Sequence, residues 1–380
     1  MSAIFKQRPT AAYIDLDALA ANLRAMKAFV GSDLKYMAIV KANAYGHGAV
    51  PCAIRLESEG IEWFGVAIPE EGVELRNGGV TKPILCLGTF WPGQEGLAFD
   101  YDLTPVVFNE DEAFRLNVFA AEKRKTLDIH VKVDTGMGRV GVRSDQWSQF
   151  AATLFELKNL RIDGMMTHFA AAENPVENAF TELQIARFND ACDKFKTAGH
   201  SPRWIDLANS PGAIRHPDSR GNLVRLGGAL YGLLDDILPA NVDQPLLRPV
   251  LSLSSCIADI KHIPAGETLG YGRTFATQHD SLIALVPIGY ADGYPRALSN
   301  QGKAEISGHA VPIVGRISMD WILLDVSELP SPMIGDEVTL IGPNIRASDI
   351  AKLVGTIGYE ITCGLTSRVP RIIDDVDTPI

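Results

Sequence analysis

The sequence predicts an α/β protein in two parts. An N-terminal (β/α)8 barrel of parallel strands spans residues 11–245, and a mainly antiparallel β domain spans 246–380, with residues 1–10 joining it as an N-terminal strand. Three observations carry this. Eight short apolar runs alternate with helical stretches up to residue 230, a βα rhythm that suits a parallel sheet closed into a barrel. After about residue 245 the texture changes to short β-rich runs punctuated by Gly and Pro. With 380 residues, 46% of them hydrophobic, the chain can bury at least one large core and is expected to form two domains. From pattern alone an open, doubly wound sheet stays an alternative for the first part.

The elements follow in chain order. Asp15 is a good N-cap, and Leu16, Leu19, Leu23, Met26 and Val30 recur every three or four residues behind it, so 15–30 reads as an amphipathic helix. The apolar run 36–40 is the first barrel strand. Further strands are expected at WFGVA (63–67), PILCL (83–87), TPVV (104–107), DIHVKV (128–133), IDGMMT (162–167), WIDLA (204–208) and LVRLGGAL (223–230). Helical stretches such as PEEGVELRNGG and ENAFTELQIARFNDACDKFKTAG lie between them. DDILPANVDQP (235–245) has the composition of a linker. Beyond it VLSLSSCIADI, SLIALVPIGYADGY, AEISGHAVPIVGRISMDWILLDV and DEVTLIG read as strands, interrupted by the helix ASDIAKLVG (347–355).

Composition narrows the function. A balance of 35 Lys+Arg against 46 Asp+Glu gives −11, without the basic cluster that tracks nucleic acid phosphates, so neither nucleic acid nor an anionic membrane is an expected partner. MSAIFKQRPT lacks an apolar signal core and no later segment has the apolar length of a bilayer span, which favours the cytoplasm. Cys52, Cys86, Cys192, Cys256 and Cys363 are scattered and never spaced as CxxC, so they read as reduced fillers, with neither a disulfide framework nor a metal site.

The stretch AIVKANAYGHG (38–48) ends an apolar run on Lys41. Barrel enzymes place their chemistry at the C-terminal ends of the strands. An amine kept partly dry there has its proton affinity lowered from a pKa of ~10.4 and can act as nucleophile or base. The plainer reading is a lysine snorkelling from the barrel mouth. Other strand ends add weight. Lys132 precedes DTGMGRVG with Arg139, Thr167 and His168 follow the sixth strand, Asn209 and Ser210 the seventh, and Arg225 precedes Gly227 and Gly228 in the eighth. Ser210 with the two glycines falls where barrels commonly bind phosphate. A phosphate site plus a lysine seeking an electrophile points to a phosphorylated aldehyde, and pyridoxal 5'-phosphate meets both demands.

Nine stretches in order, AIVKANAYGHG, KVDTGMGRVG, THFA, ANS, VRLGGALYG, LGYGRTF, IGYADGYPR, VGRISMD and TIGYEITCGLTSRVPR, resemble the alanine racemases, barrel-type pyridoxal phosphate enzymes with a C-terminal β domain. The likeness extends over nearly the whole chain. It implies interconversion of L- and D-alanine, supplying D-alanine for peptidoglycan, by a cytoplasmic homodimer whose subunits share their active sites.

Carried over residue by residue, the resemblance implies that Lys41 forms a Schiff base with the cofactor. Tyr45, Ser210, Tyr359 and the backbone of Gly227 and Gly228 would hold its phosphate, and Arg225 would face the pyridine nitrogen. An arginine stays protonated and donates, which leaves the ring nitrogen unprotonated and weakens it as an electron sink. Racemisation needs acid–base groups on opposite faces of one carbon. Lys41 would serve one and Tyr271 the other, with His168 linking Tyr271 towards Arg225. A free tyrosine loses its proton only near pH ~10, so it needs such assistance. Arg139 and the backbone of Met319 would bind the substrate carboxylate, and Lys132 is the lysine that is often carbamylated in the family. Glu173, Tyr290, Arg296, Arg316 and Asp320 match positions lining the family's substrate entrance.

This chain departs from the family pattern at three places. Asp206 stands where a histidine is usual three residues before Asn-Ser, Gly358 precedes Tyr359 where Asn is usual, and Ile372 replaces an aromatic after RVPR. None removes a catalytic group. A broad-specificity or serine racemase on the same fold, and a non-catalytic pyridoxal phosphate-binding barrel protein, are the alternatives, the second disfavoured by the β domain.

Overall fold

A computed structural model describes residues 8–239 and 241–373. Its centre is an eight-stranded parallel sheet formed by Lys35–Ile39, Trp63–Val66, Ile84–Cys86, Leu103–Val107, Leu127–Lys132, Leu160–Met166, Trp204–Asp206 and Leu223–Leu226. Every strand expected from the sequence is present within a few residues. Neighbours pair in chain order, and the eighth strand returns to pair with the first, Met37 opposite Arg225. The remaining seam, between the seventh and eighth strands, has no regular ladder. It is closed by Asn222 N–H to Ile205 O (3.0 Å), Arg225 N–H to Ala208 O (3.0 Å) and Ile205 N–H to the Asn222 side chain (2.8 Å). The sheet is thus a nearly closed barrel, and the open doubly wound alternative falls.

Strand alternation decides what faces the barrel axis. Met37, Ile39, Leu85, Val106, Met166 and Leu223 belong to one buried apolar cluster, whereas Tyr36, Ala38, Ile84, Val107, Val224 and Leu226 belong to another, under the helices. Successive side chains point to opposite faces of a strand. The inner series therefore continues from Met37 and Ile39 to Lys41, from Leu223 to Arg225, from Met166 to His168, and from His130 to Lys132. The charged groups at the mouth are in register with the apolar layers below them.

The helices follow the sequence reading. Leu16–Val30 begins behind Asp15, whose carboxylate accepts from Ala18 N–H at 2.7 Å. Pro69–Asn77, Asn178–Thr197 and Ala347–Val354 match the other expected helices.

The C-terminal part builds a six-stranded sheet in the order His309–Pro312, Lys303–Ile306, Glu337–Ile341, Leu251–Cys256, Ala11–Ile14, Arg371–Ile373, beside a three-stranded sheet of Asp259–Ile263, Ser281–Val286 and Ile322–Asp325. One expectation needs correction. The N-terminal strand lies at Ala11–Ile14, within the range assigned to the barrel, where it pairs antiparallel with Leu251–Cys256 and parallel with Arg371–Ile373. Residues 1–7 lie outside the described residues, and in 8–10 there is no strand. The short apolar stretch AAYI finds two partners in the β domain, so the first element of the barrel unit is the helix at Leu16.

Candidate active site

The strand Lys35–Ile39 does not lead into an ordinary helix. Ala42, Asn43, Ala44 and Tyr45 all have φ near +50°, so Lys41 opens a left-handed turn that closes with Ala44 N–H to Val40 O (2.8 Å) and Gly46 N–H to Ala42 O (3.0 Å). Left-handed backbone costs L-residues roughly 1–2 kcal/mol each, and it persists only where surroundings impose it. Here Glu71 accepts from Ala42 N–H at 2.7 Å, Asn43 accepts from Ala49 N–H at 2.8 Å, and Arg371 donates to Gly46 O at 2.9 Å. The turn points Lys41 and Tyr45 into one cavity.

That cavity, about 890 Å³, occupies the C-terminal mouth of the barrel. Lys41, Tyr45, Lys132, Arg139, His168, Glu173, Ser210, Arg225, Gly227, Gly228 and Tyr359 all line it. These are all the barrel-borne candidates, plus Tyr359 from the short helix Gly358–Gly364. At its far end Ser210 accepts from Gly227 N–H at 3.0 Å. A Cβ on Gly227 would come within 2.8 Å of the Tyr45 hydroxyl, and one on Gly228 would run into the Tyr359 phenol. Only glycines leave this cradle open, and burial raises both tyrosines, so their phenols stay protonated as donors. Open backbone, a serine and two O–H donors fit a phosphate.

Lys41 has its proton affinity lowered by burial first and by Arg139 second. Lys132, 7% exposed, is lowered to about 8 by burial and then by Arg225. Asp134 accepts from Gly136 and Gly138 N–H and so shapes the glycine turn that carries Arg139. Arg225 is buried and donates to Thr167 O (2.8 Å), Leu207 O (3.0 Å), the Asp206 carboxylate and His168 Nδ1 (3.3 Å). Its Nε has no protein acceptor among the described residues. Burial raises Asp206, and contact with Arg225 opposes that rise. The carboxylate at 206 thus takes up the arginine directly, a pairing that a neutral histidine would not provide. Burial, then Arg225, holds His168 well below its ordinary range, so it is neutral, and with Nδ1 accepting from Arg225 its proton sits on Nε2.

The other candidates lie elsewhere on the chain. Tyr271 (72% exposed), Met319 (52%) and Tyr290 (42%) stand out on the β domain, and Tyr271 lines a separate apolar hollow with Arg316, Trp321 and Leu323. None of these is among the residues lining the barrel cavity. Arg296 is exposed, and Asp320 pairs with Arg368 at 2.7 Å. So of the expected entrance set only Glu173 belongs to the barrel cavity. Cys363, expected as buried filler, is exposed and lines that cavity, whereas Cys52, Cys86 and Cys192 are buried.

Sequence reasoning gave no work to Glu71, His47 or Asp236. Glu71 carries a local signal, an acid at the third position of a helix behind Pro69, but its reach to Ala42 does not. Asp236 reaches Gly358, on another element, so no spacing rule finds it.

Comparison with known proteins agrees with this layout. The family model for the alanine racemase N-terminal domain matches residues 14–235, and that for the alanine racemase C-terminal domain matches 250–373. The alanine racemase of Halothermothrix orenii is 44% identical over 374 residues, covering 96% of both chains. Among solved structures, alanine racemase from Streptomyces lavendulae superposes with a TM-score of 0.91 at 34% identity, over 97% of this chain and 98% of that one. Alanine racemase from Bartonella henselae, solved with covalently bound pyridoxal phosphate, superposes at 0.86 and 31% identity over 97% and 100%. With both domains matched in order and relatives alike end to end, the chain belongs to the alanine racemase family.

Proposed function

We propose that this chain interconverts L- and D-alanine with pyridoxal 5'-phosphate, using Lys41 and Tyr271 as its two acid–base groups. The observation that carries the reading is Lys41 itself: a half-buried lysine of lowered proton affinity at the barrel mouth, sharing one cavity with a serine–glycine–tyrosine cradle. When bound, pyridoxal phosphate supplies a conjugated ring that accepts the charge left behind as the α-proton departs. The chain's residues do the rest. Ser210, Tyr45, Tyr359 and the Gly227–Gly228 backbone would hold the phosphate, and Arg225 would donate to the pyridine nitrogen. Arg139 and the backbone at Met319 hold the substrate carboxylate, which fixes the Cα–H bond relative to the two bases. Lys132 lies beside them, and a neutral amine is the form that carbamylation requires.

A proton removed from one face must be replaced on the other. Lys41 Nζ holds it on one side and Tyr271 Oη on the other. His168, with its Nε2–H available, is set to donate to the phenolate oxygen of Tyr271 and stabilise it between the two transfers. Within one chain Tyr271 is outside the cavity, so the reading requires a second copy. A head-to-tail homodimer places the exposed Tyr271, Met319 and Tyr290 over the partner's barrel mouth and shuts water out. No described helix is long and apolar enough to cross a membrane. We assign the protein to the cytoplasm, supplying D-alanine for peptidoglycan.

Reduction of the cofactor-loaded protein with borohydride, followed by peptide mass mapping, is expected to fix the cofactor on Lys41. Label on a different lysine overturns the assignment.

A further inference from the structure

The left-handed turn has a support that the reading above does not use. His47, two residues beyond Tyr45, is fully buried, and its Nδ1 lies 2.9 Å from Ala44 O and 3.0 Å from Tyr45 O. Carbonyls only accept, so Nδ1 carries the proton and ties down the last carbonyls of the turn. Burial lowers the ring to about 4, so it stays neutral and Nε2 is a bare acceptor. Nε2 is buried and has no partner among the described residues.

A second unpartnered acceptor faces the same place. Asp236 Oδ2 accepts from Gly358 N–H, the residue before Tyr359, while its Oδ1 is buried without a partner among the described residues. His47 and Asp236 both line a small cavity of about 30 Å³, together with Tyr231, Arg346, Ser348 and Thr362. One water needs about 10–15 Å³ of such space and two or more polar partners. A water has two O–H groups to donate, and this cavity presents two acceptors that lack donors.

We propose that His47 and Asp236 are positioning residues joined by one buried water, which ties the turn bearing Tyr45 to the helix bearing Tyr359 and so fixes the two phenols that face the phosphate. The two rings already meet edge to face, with centroids 5.5 Å apart, and the relay runs behind them. Gly358 belongs to the same device. A Cβ there would stand 3.3 Å from Asp236 Oδ2, so a larger residue would crowd the carboxylate that reaches in from the linker side.

The proposal rests on the cofactor reading and is tested by affinity rather than turnover. Pyridoxal phosphate is titrated into the cofactor-free full-length protein and followed by its visible absorbance, for wild type, His47→Phe, Asp236→Ala and the double variant. Each single variant is expected to weaken binding about tenfold. The double variant is expected to stay within about threefold of the weaker single one, because losing either end already breaks the relay. A double variant near the product of the two effects, or single variants that bind as wild type does, overturns the proposal. Wild type that fails to bind refutes the cofactor reading instead. If a variant does not fold, a high-resolution crystal structure of the holoenzyme decides: water density within hydrogen-bond distance of His47 Nε2 and Asp236 Oδ1 supports the relay, and a dry cavity sinks it.

Discussion

A Tyr271→Ala protein loses racemisation in both directions by about two to four orders of magnitude, the size expected for removing a positioned acid–base group. The loss is symmetric because every turnover uses both faces of Cα, whichever enantiomer enters. Proton exchange is not symmetric. Lys41 remains, and the family resemblance gives it the α-proton of the D enantiomer. In heavy water the variant therefore exchanges the α-proton of D-alanine with retention, faster than that of L-alanine. NMR of the recovered amino acid reads this directly. Equal loss of exchange for both enantiomers, or a faster exchange of L-alanine, contradicts the division of labour.

Mixing two inactive proteins restores activity. Lys41→Ala subunits keep Tyr271, and Tyr271→Ala subunits keep Lys41, so in a head-to-tail mixed dimer one site has neither group and the other has both. With random exchange at equal concentrations, half of the dimers are mixed and each holds one intact site, so about a quarter of wild-type activity returns. The expectation follows from where the side chains are: Lys41 lines the barrel cavity, whereas Tyr271 is 72% exposed on the β domain. Absence of recovery, with subunit exchange demonstrated independently, means the site is built within one chain.

Much of this was legible without coordinates, for physical reasons that differ by element. The eight strands show because each is a short apolar run between helical stretches, and the inward-facing charges show because they continue the strand alternation, Met37–Ile39–Lys41 and Leu223–Arg225. The left-handed turn does not show. KANAY contains two alanines, the best right-handed helix formers, and contacts from outside the turn, among them Glu71, His47 and Arg371, hold it on the left-handed side. The strand Ala11–Ile14 hid its membership because both of its partners are more than two hundred residues away. Tyr271 in GYG looks like a turn residue locally, and it is one. The role proposed for it needs a neighbour that the chain's own fold does not supply.

The left-handed turn also sets an order of events during synthesis. Its carbonyl at Gly46 is held by Arg371, and Gly46 packs so closely on Thr362 that a Cβ would collide with that residue's backbone. These partners lie more than three hundred residues downstream, so they leave the ribosome long after the turn. A growing chain can complete its eight strands and present Lys41 while part of the bracing of Ala42–Tyr45 is still unmade. Until then the turn has Glu71 and His47 to brace it but neither Arg371 nor Thr362. The arrangement around Lys41 and Tyr45 is thus complete only once residues 358–371 have been made, long after the turn itself.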